Sequence, residues 1–367
     1  PRPEEKFIVP EFNQELPPEE LTLAEILKEY GYSTASIGKW HLGGEGYLPT
    51  EQGFDENIAG NHKGMPPSYH YQYTAEHFDF DITHLELTED SMYLTDRLGN
   101  EAVKFIDRKR DEPFFLYLPF YTVHTPWEGR PDLVRKYEEV ISASDDTIQR
   151  DPQFLAMIES LDINVGKVVD AIENNGLTEN TFVIFVSDNG GLYVQKGDNV
   201  FGSYNRPLRG GKATLYEGGL RVPTILKWPG KIPTGKVSDE LIISTDILPT
   251  VVDALELTPR TVIEGVSLWS HVTTGRTLDR ERFYWHYPHY HRTNPGSVIR
   301  DGDFKLIHYY ENDHSELYNL TEDISEEYDL SKEMPEKLKE LEEKLNTWLR
   351  VNRAKFPTLN ENYIETE

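Results

Sequence analysis

The sequence lacks several features, and each lack argues against a class of protein. It contains no cysteine, so its residues supply no disulfide, zinc–thiolate site or cysteine nucleophile. Its 37 basic residues stand against 64 acidic ones, and the net charge of −27 argues against a general nucleic-acid binder. An anionic substrate stays open, because a small basic pocket can lie on an acidic surface. No apolar run approaches the roughly 20 residues that a membrane-spanning helix needs.

The residues that are present favour a globular α/β protein. Hydrophobic residues make up 37% of the 367 and aromatic residues 12%, enough for a sizeable core. Apolar runs of strand length alternate with helical patterns, whereas residues 45–90 predict mostly loops. The strands are predicted at 33–37, 113–118, 181–186 and 222–227, and the helices at 22–31, 92–109, 151–174 and 245–255. This alternation predicts a mostly parallel sheet sandwiched by helices.

The pattern changes beyond about residue 275. Short strands joined by turn residues are predicted there, followed by a helix near 335–351. We therefore expect an α/β domain over residues 1–274. A smaller C-terminal α+β subdomain, with a short antiparallel sheet and a final helix, is expected over residues 275–367.

Polar side chains follow three of the predicted strands. Lys39 and His41 follow the first, His124 the second, and Asp188 and Asn189 the third. Ligands bind beyond the carboxyl ends of strands in such sheets, so we expect these side chains to meet. Asp188 and Asn189 offer oxygens that suit Ca²⁺ or Mg²⁺ but are too few for a whole site, and His124 is placed as a general acid. A simple turn, a surface pair and a structural histidine are the plainer interpretations.

The glycine-rich stretch 204–221 has a positive net charge, opposite in sign to the net charge of the whole chain. It carries a net charge of +3, from Glu217 against Arg206, Arg209, Lys212 and Arg221. A basic loop in an acidic chain fits an anion site, with Arg209 and Lys212 as candidates, although a solvated loop has the same composition. Together with one divalent cation, such a loop suits an ester whose transferred group is a tetrahedral anion.

A run of aromatic and histidine residues spans 284–291. Its rings offer faces for stacking sugars, and His286 and His289 offer hydrogen bonds to a saccharide. Packing of the same rings between the two subdomains is the alternative interpretation.

These motifs resemble those of the sulfatases of the alkaline-phosphatase superfamily. The resemblance extends from about residue 20 to 330, and its most specific motifs are Gly38-Lys39-Trp40-His41, Ser187-Asp188-Asn189-Gly190-Gly191 and Pro207-Leu208-Arg209-Gly210-Gly211-Lys212. Further matches lie in the family's order at Gln52-Gly53-Phe54-Asp55, Val123-His124-Thr125-Pro126, Tyr216-Glu217-Gly218-Gly219, Asp246-Ile247-Leu248-Pro249 and Leu317-Tyr318-Asn319-Leu320.

The resemblance implies a role for each residue that lies in a matching motif. Asp188 and Asn189 are implied to be two of the ligands of a Ca²⁺, with Mg²⁺ a weaker candidate. Lys39 and His41 are implied to bind and orient the hydroxyls of the nucleophile. His124 and Lys212 are implied to bind the sulfate, with His124 as the proton donor to the leaving alcohol.

One part of the family pattern has no counterpart in these residues. Family members carry an upstream strand that ends in paired aspartate ligands, and then a Cys- or Ser-x-Pro-x-Arg motif whose first residue is oxidised to the formylglycine nucleophile. The chain has neither a cysteine nor a Ser-x-Pro-x-Arg motif, and it opens at Pro1 without an initiator methionine. We therefore expect an upstream segment, from the same gene or on a separate chain, to supply the nucleophile and a central strand.

The expected function is Ca²⁺-dependent hydrolysis of a sulfate ester on a saccharide. The expected partners are the saccharide and the upstream segment, with no nucleic acid and no membrane span. The family is commonly exported or lysosomal, so the resemblance implies a periplasmic, extracellular or lysosomal location. Two alternatives stay open: a non-catalytic module that binds sulfated glycans, and a phosphatase or phosphonate monoester hydrolase of the same superfamily.

Overall fold

The fold is known from a computed structural model that describes residues 2, 4–75, 82, 85, 92–144, 151–196 and 199–364. Part of the predicted loop region 45–90, and Pro1, lie outside the described residues. No helix in the described ranges is both long enough and apolar enough to cross a membrane.

The elements alternate along the chain as the sequence pattern predicts. The strands are β1 (Phe7–Ile8), β2 (Ser33–Ile37), β3 (Glu56–Ile58), β4 (Phe114–Tyr117), β5 (Val183–Val186), β6 (Tyr193–Lys196), β7 (Asn199–Gly202), β8 (Thr224–Lys227), β9 (Arg282–Tyr287), β10 (Gly296–Asp301), β11 (Phe304–Tyr309), β12 (His314–Asn319) and β13 (Thr358–Leu359). The helices are α1 (Leu23–Glu29), α2 (Leu94–Lys109), α3 (Pro131–Ser142), α4 (Pro152–Asn174), α5 (Glu217–Leu220), α6 (Ile247–Ala254), α7 (Trp269–Thr274) and α8 (Pro335–Val351).

Local capping fixes where two of the helices begin. The Thr22 hydroxyl accepts from the Glu25 amide at 3.1 Å, and the Glu25 carboxylate accepts from the Thr22 amide at 2.8 Å, which starts α1. The Asp151 carboxylate accepts from the Gln153 amide at 2.9 Å, and Pro152 occupies the first position of α4.

A parallel sheet lies at the centre of the first part of the chain. Strand β2 pairs in parallel with β3 on one side and with β4 on the other. Residues of these strands and of α2 share one buried core, which includes Ala35, Ile37, Leu98 and Phe105. The predicted α/β architecture is confirmed here.

Strands β4 and β5 cover the same pair of helices without pairing with each other. Leu116 of β4 and Val183 of β5 pack against one cluster formed by Ile106 of α2 and Ile172 of α4. In the described ranges, β4 pairs only with β2, and β5 pairs only with β8. Each of these two apolar strands therefore leaves one edge unpaired within the described chain.

The pairing of β5 differs from a uniformly parallel sheet. Val183 pairs with Lys227 and Val186 with Thr224, so β5 and β8 run antiparallel. The apolar composition of both strands predicted burial, and burial does not fix direction, because mixed sheets bury their strands as well.

The C-terminal part is an antiparallel sheet covered on both faces. Its strand order is β12-β11-β10-β9, and alternate residues point to opposite faces. One face packs on α8 through Ile299, Leu306 and Leu317. The other face, which includes Val298 and Ile307, packs on Leu215 from the first part of the chain. The predicted small antiparallel sheet and final helix are both confirmed.

Candidate active site

The first site segment follows β2 and is held by its neighbours' backbones. The Lys39 amide donates to the Pro119 carbonyl at 2.7 Å, and the His41 amide donates to the Asn61 carbonyl at 2.8 Å. A β-carbon on Gly38 would lie 2.1 Å from the Pro119 oxygen, so only glycine fits there. His41 has a left-handed φ of 60°, which costs a non-glycine residue about 1 kcal/mol. The segment is thus fixed to the loops that follow β3 and β4.

His124 follows β4, and Thr125 engages one nitrogen of its ring. Nδ1 of His124 lies 3.0 Å from the Thr125 carbonyl oxygen and 3.2 Å from the Thr125 hydroxyl. Nε2 has no partner among the described residues and is left for a ligand. Burial lowers the pKa of His124, and the cations Lys212 and Lys39 lower it further, against the opposing effects of Thr125 and Asp188.

Two glycine-rich loops, one following Asp188 and Asn189 and one carrying Lys212, are hydrogen-bonded to each other. The Gly190 amide donates to the Gly219 carbonyl at 3.0 Å, and the Lys212 amide donates to the Gly191 carbonyl at 3.2 Å. The Asn205 side chain donates to the Gly191 carbonyl at 2.8 Å. These bonds place the loop that carries Asp188 directly against the loop that carries Lys212.

The structure brings five of the predicted residues into one group whose charges interact through Lys39 and Lys212. Burial lowers the pKa of Lys212, and Lys39 lowers it further, whereas Asp188 raises it. Burial also lowers the pKa of His41, helped by the charges of Lys39 and Lys212. The cluster is therefore Lys39, His41, His124, Asp188 and Lys212, which we call the cationic cluster.

The lysines of the cationic cluster have no ion-pair partner in the described part of the chain. Lys39 and Lys212 are half-buried, and no carboxylate within those ranges pairs with either of them. Partly desolvated, unpaired cations raise the free energy of the protein unless an anion binds there. In a chain with a net charge of −27, this arrangement favours the binding of an anion.

Asp188 and Asn189 fit part of the coordination shell of a hard cation. The Asp188 side chain is exposed, and Nδ2 of Asn189 donates to the Gly190 carbonyl at 2.9 Å, which leaves the amide oxygen of Asn189 for a ligand. The described residues contain no group of three or more acidic, histidine or cysteine side chains that could hold a metal. Ca²⁺ takes six to eight oxygens, so these two residues would hold it only together with ligands from elsewhere.

Arg209, predicted to bind substrate, is engaged within the protein. Its guanidinium donates to the Tyr318 hydroxyl at 3.0 Å and to the Glu326 carbonyl at 2.7 Å, and it lies 4.0 Å above the Tyr216 ring. The side chain therefore ties the basic loop to the C-terminal subdomain.

His286 and His289 lie outside the cationic cluster. Nδ1 of His286 accepts from Ser297 at 2.7 Å and Nε2 donates to the Lys355 carbonyl at 2.8 Å, so both ring nitrogens are satisfied. His289 packs edge-on against Phe12 at 4.9 Å between ring centroids. Within the described ranges, neither histidine contacts the cluster, and their predicted substrate contacts stay predictions.

Two further residues belong beside the cluster and were not predicted. The charge of His62 lowers the pKa of His41, and the charge of Arg292 lowers the pKa of Lys212, after larger effects of burial in both cases. His62 lies in the irregular stretch 45–90, where periodicity gives no signal. Arg292 directly follows the aromatic and histidine run, whose composition is the signal for it.

An α/β fold that gathers cations at the ends of its strands favours the class of proteins that bind anionic ligands. The family model described as Sulfatase matches residues 3–257, and the model described as N-sulphoglucosamine sulphohydrolase, C-terminal, matches residues 211–355. The chain belongs to the sulfatase family, whose members are sulfuric ester hydrolases. The resemblance found in the sequence motifs is thereby confirmed.

Relatives from distant organisms share this similarity. A sulfatase from Formosa agariphila is 33% identical over 91% of this chain and 70% of its own length. The N-acetylgalactosamine-6-sulfatase of Homo sapiens is 31% identical over 74% of this chain. The chain spans about half of that enzyme, 52% of its length, and the same share of the dog and mouse enzymes of that name.

Solved structures show the same fold. Ps i-CgsB, solved in complex with k-i-k-neocarrahexaose, superposes with a TM-score of 0.75 at 26% identity and covers 94% of this chain and 77% of its own. BT4656, solved with its substrate D-glucosamine-2-N,6-O-disulfate, superposes with a TM-score of 0.69 at 22% identity over 92% of this chain and 83% of its own. These neighbours establish the alkaline-phosphatase-like fold for this chain.

Proposed function

We propose that this chain forms the anion-binding and part of the metal-binding site of a sulfatase that acts on sulfated saccharides. The observation that carries the proposal is the cationic cluster, in which Lys39 and Lys212 lack carboxylate partners within the described residues. A sulfate monoester supplies the missing negative charge. Family membership supports the choice of sulfate as the anion.

Each residue of the cluster has a task in cleavage of the ester. Lys212 and Lys39 stabilise the charge on the sulfate oxygens as the bridging bond breaks. The free Nε2 of His124 is the position from which a proton reaches the leaving alcohol oxygen. The pKa of His124 is lowered in the free protein, and a bound anion raises it, so the substrate itself favours the acidic form.

Asp188 and Asn189 would hold Ca²⁺, which the family resemblance favours over Mg²⁺, together with oxygen ligands from elsewhere. When bound, the cation supplies positive charge that stabilises a negative nucleophile and the sulfate oxygens. The Asp188 carboxylate and the Asn189 amide oxygen are the groups that this chain contributes to it.

We propose that the nucleophile and the remaining ligands come from a strand that inserts between β4 and β5. Both strands leave an edge unpaired in the described chain, although they cover the same pair of helices. Unpaired edges of apolar strands are unfavourable, because each buried amide or carbonyl group without a partner costs about 1–3 kcal/mol. An inserted strand would satisfy both edges and would end beside Lys39 and Asp188. The family's formylglycine is the nucleophile that fits such a segment.

The relatives support a saccharide as the carrier of the sulfate. The human relative is named N-acetylgalactosamine-6-sulfatase, and two structural neighbours were solved with a carrahexaose and with a disulfated glucosamine. The family resemblance also supports our proposal of an exported or lysosomal location.

The decisive experiment expresses this chain together with the coding region upstream of it, and measures hydrolysis of aryl and saccharide sulfates beside the matching phosphates. We expect sulfate turnover only with the upstream segment present. Lys212→Ala and His124→Ala should each lower turnover by about 100-fold or more, whereas the exposed Lys231→Ala should leave it unchanged. Near-wild-type turnover in both cluster variants would refute the assignment, and a strong preference for phosphate would identify a phosphatase instead.

A non-catalytic function as a binder of sulfated glycans is the second candidate. The absence of cysteine favours it, because the chain by itself holds no precursor of a cysteine-derived nucleophile. Ca²⁺ titration separates the two proposals: the chain with only Asp188 and Asn189 should bind Ca²⁺ weakly, and the chain with its upstream segment tightly. Equal, weak binding in both forms would favour the non-catalytic module.

A further inference from the structure

We propose that Arg292 binds a second anionic group of the substrate, a sulfate or a carboxylate next to the ester that is cleaved. The site would then select saccharides that carry more than one negative charge. The inference rests on the proposed function, since it places the second anion beside a sulfate held by Lys212.

Packing places Arg292 beside the cationic cluster. Arg292 lies in the connection between β9 and β10, whose end at Gly296 contacts the segment after Lys212. A β-carbon on Gly296 would lie 2.9 Å from Cδ1 of Leu215. The side chains of Thr293 and Tyr216 both lie beside the Tyr309 hydroxyl, one from each segment. The connection is therefore packed against residues 213–216, and it carries Arg292 to the rim of the cluster.

The charge of Arg292 has no compensation in the described part of the chain. No hydrogen bond or ion pair there engages its guanidinium, and its side chain is exposed. Its charge acts on Lys212, which is half-buried, and the two cations repel each other. In the same subdomain, Arg282 and Arg300 are each paired with a carboxylate at 2.9 and 3.5 Å. An arginine beside a lysine, neither in an ion pair within the described residues, is suited to hold two anionic groups of one ligand.

The guanidinium is also suited in shape to this task. Its planar fork of donors binds a sulfate or carboxylate through two parallel hydrogen bonds, which an ammonium group cannot reproduce. Because Arg292 is exposed whereas Lys212 is half-buried, the second anion lies further from the protein than the reacting sulfate. A neighbouring substituent of the same sugar, or the acid group of the adjoining sugar, has this placement.

The test titrates this chain, expressed together with the coding region upstream of it, with matched pairs of ligands. One pair is D-glucosamine 6-O-sulfate and D-glucosamine-2-N,6-O-disulfate. The other pair is N-acetylgalactosamine 6-sulfate alone and the same sugar linked to a uronic acid. The variants are Arg292→Ala, Arg292→Lys and, as the matched control, Arg350→Ala, an exposed arginine of α8 on the opposite face of the C-terminal sheet.

We expect the dianionic member of at least one pair to bind about tenfold more tightly than the monoanionic member. Arg292→Ala should abolish this ratio without changing the affinity for the monoanionic ligand, and Arg292→Lys should restore only part of it. Arg350→Ala should keep the full ratio. The pair that shows the ratio tells whether the second anion is a sulfate or a carboxylate.

Two results would overturn the inference, and only the second of them also contradicts the proposed function. If the chain binds both members of each pair equally, and Arg292→Ala changes nothing, the role of Arg292 is wrong and the proposed function stands. If inorganic sulfate and all four saccharides fail to bind, the anion site itself is wrong, and the proposed function fails with the inference.

Discussion

The backbone amide of Gly190 donates to the carbonyl oxygen of Gly219 at 3.0 Å, and a β-carbon on Gly190 would lie 1.7 Å from the Gly218 oxygen. The loop that begins with Asp188 and Asn189 thus meets helix α5, which follows Lys212, with no space for a side chain. The position of Asp188 and Asn189, the proposed metal ligands, relative to Lys212, the proposed anion-binding residue, depends on this contact.

The first prediction concerns this contact. Gly190→Ala should lower the free energy of unfolding by several kcal/mol and weaken sulfate binding, because the two loops must separate. Urea denaturation and sulfate titration would measure both effects. Gly166→Ala is the matched control: it lies in α4 with open space around its β-carbon position, and it should stabilise the chain by about 0.5–1 kcal/mol. A Gly190→Ala variant of normal stability and affinity would contradict the prediction.

The second prediction concerns a buried ion-pair network between the two parts of the chain. The Lys305 ammonium lies 3.0 Å from Glu217 and 2.8 Å from Glu326, and all three side chains are buried. Lys305→Met leaves Glu326 buried without a cation and Glu217 with only Arg300, at 3.5 Å, which should cost about 3–5 kcal/mol in urea denaturation.

Two further variants test the cause of that loss. Combining Lys305→Met with Glu326→Gln should recover much of the stability, because Glu217 keeps its pair with Arg300 and no carboxylate of the network is then left without a cation. Lys28→Met, which breaks the exposed pair with Asp55, should have a much smaller effect. Equal losses from the buried and the exposed lysine would show that the network does not hold the two parts together.

The third prediction concerns the pH dependence of anion binding. Lys212 attracts sulfate only when protonated, and burial, with help from Lys39 and Arg292, lowers its pKa. Sulfate affinity is therefore fully present well below that pKa, and it should be lost, as pH rises, before an ordinary lysine titrates. Lys212→Arg should retain its affinity into the alkaline range, because the guanidinium stays charged. Parallel losses in both proteins would contradict this assignment.

The fourth prediction concerns His286, which the structure places in a hydrogen-bonded packing position. His286→Ala should lower stability by about 1–3 kcal/mol near neutral pH, because Ser297 and the Lys355 carbonyl lose their partner. Burial lowers the pKa of His286, so the wild type loses this stability as pH falls below about 6.5. The difference between the two proteins should therefore narrow in acid.

Sulfate and saccharide titrations separate this packing role from the role predicted from the sequence. We expect His286→Ala to bind monosulfated saccharides with unchanged affinity. If His286→Ala lost affinity for these saccharides but kept normal stability, His286 would contact the substrate, as the sequence predicts.

Local chemistry made much of the fold predictable. The Thr22 capping box, the Asp151 cap and the apolar stripe of α8 act within a few residues, and the observed boundaries follow them closely. Helix α3 was not predicted, because its N-cap Arg130 makes no capping hydrogen bond through its side chain and its apolar face is short. The direction of β8 was not predictable either, because it depends on pairing with β5, a strand far away in the sequence, in which Val183 pairs with Lys227 and Val186 with Thr224.

The site was predictable where motifs end strands, and not where it depends on packing. Lys39, His124 and Asp188 each follow a strand, so the topology of the sheet was enough to bring them together. Arg292 reaches the cluster only because the C-terminal sheet packs on Leu215, a contact between residues distant in sequence. Arg209 illustrates the converse, since its charge suggested a ligand contact and its actual partners are Tyr318 and Glu326.

The packing of Leu215 on the C-terminal sheet limits how the two parts can be exchanged. Leu215 follows Lys212 by three positions and is buried against Val298 and Ile307. A chimera that takes residues 275–367 from a relative would set this leucine against foreign side chains and displace the lysine with it. The basic loop and the C-terminal sheet therefore have to change together during evolution, and a functional chimera must take both from the same relative.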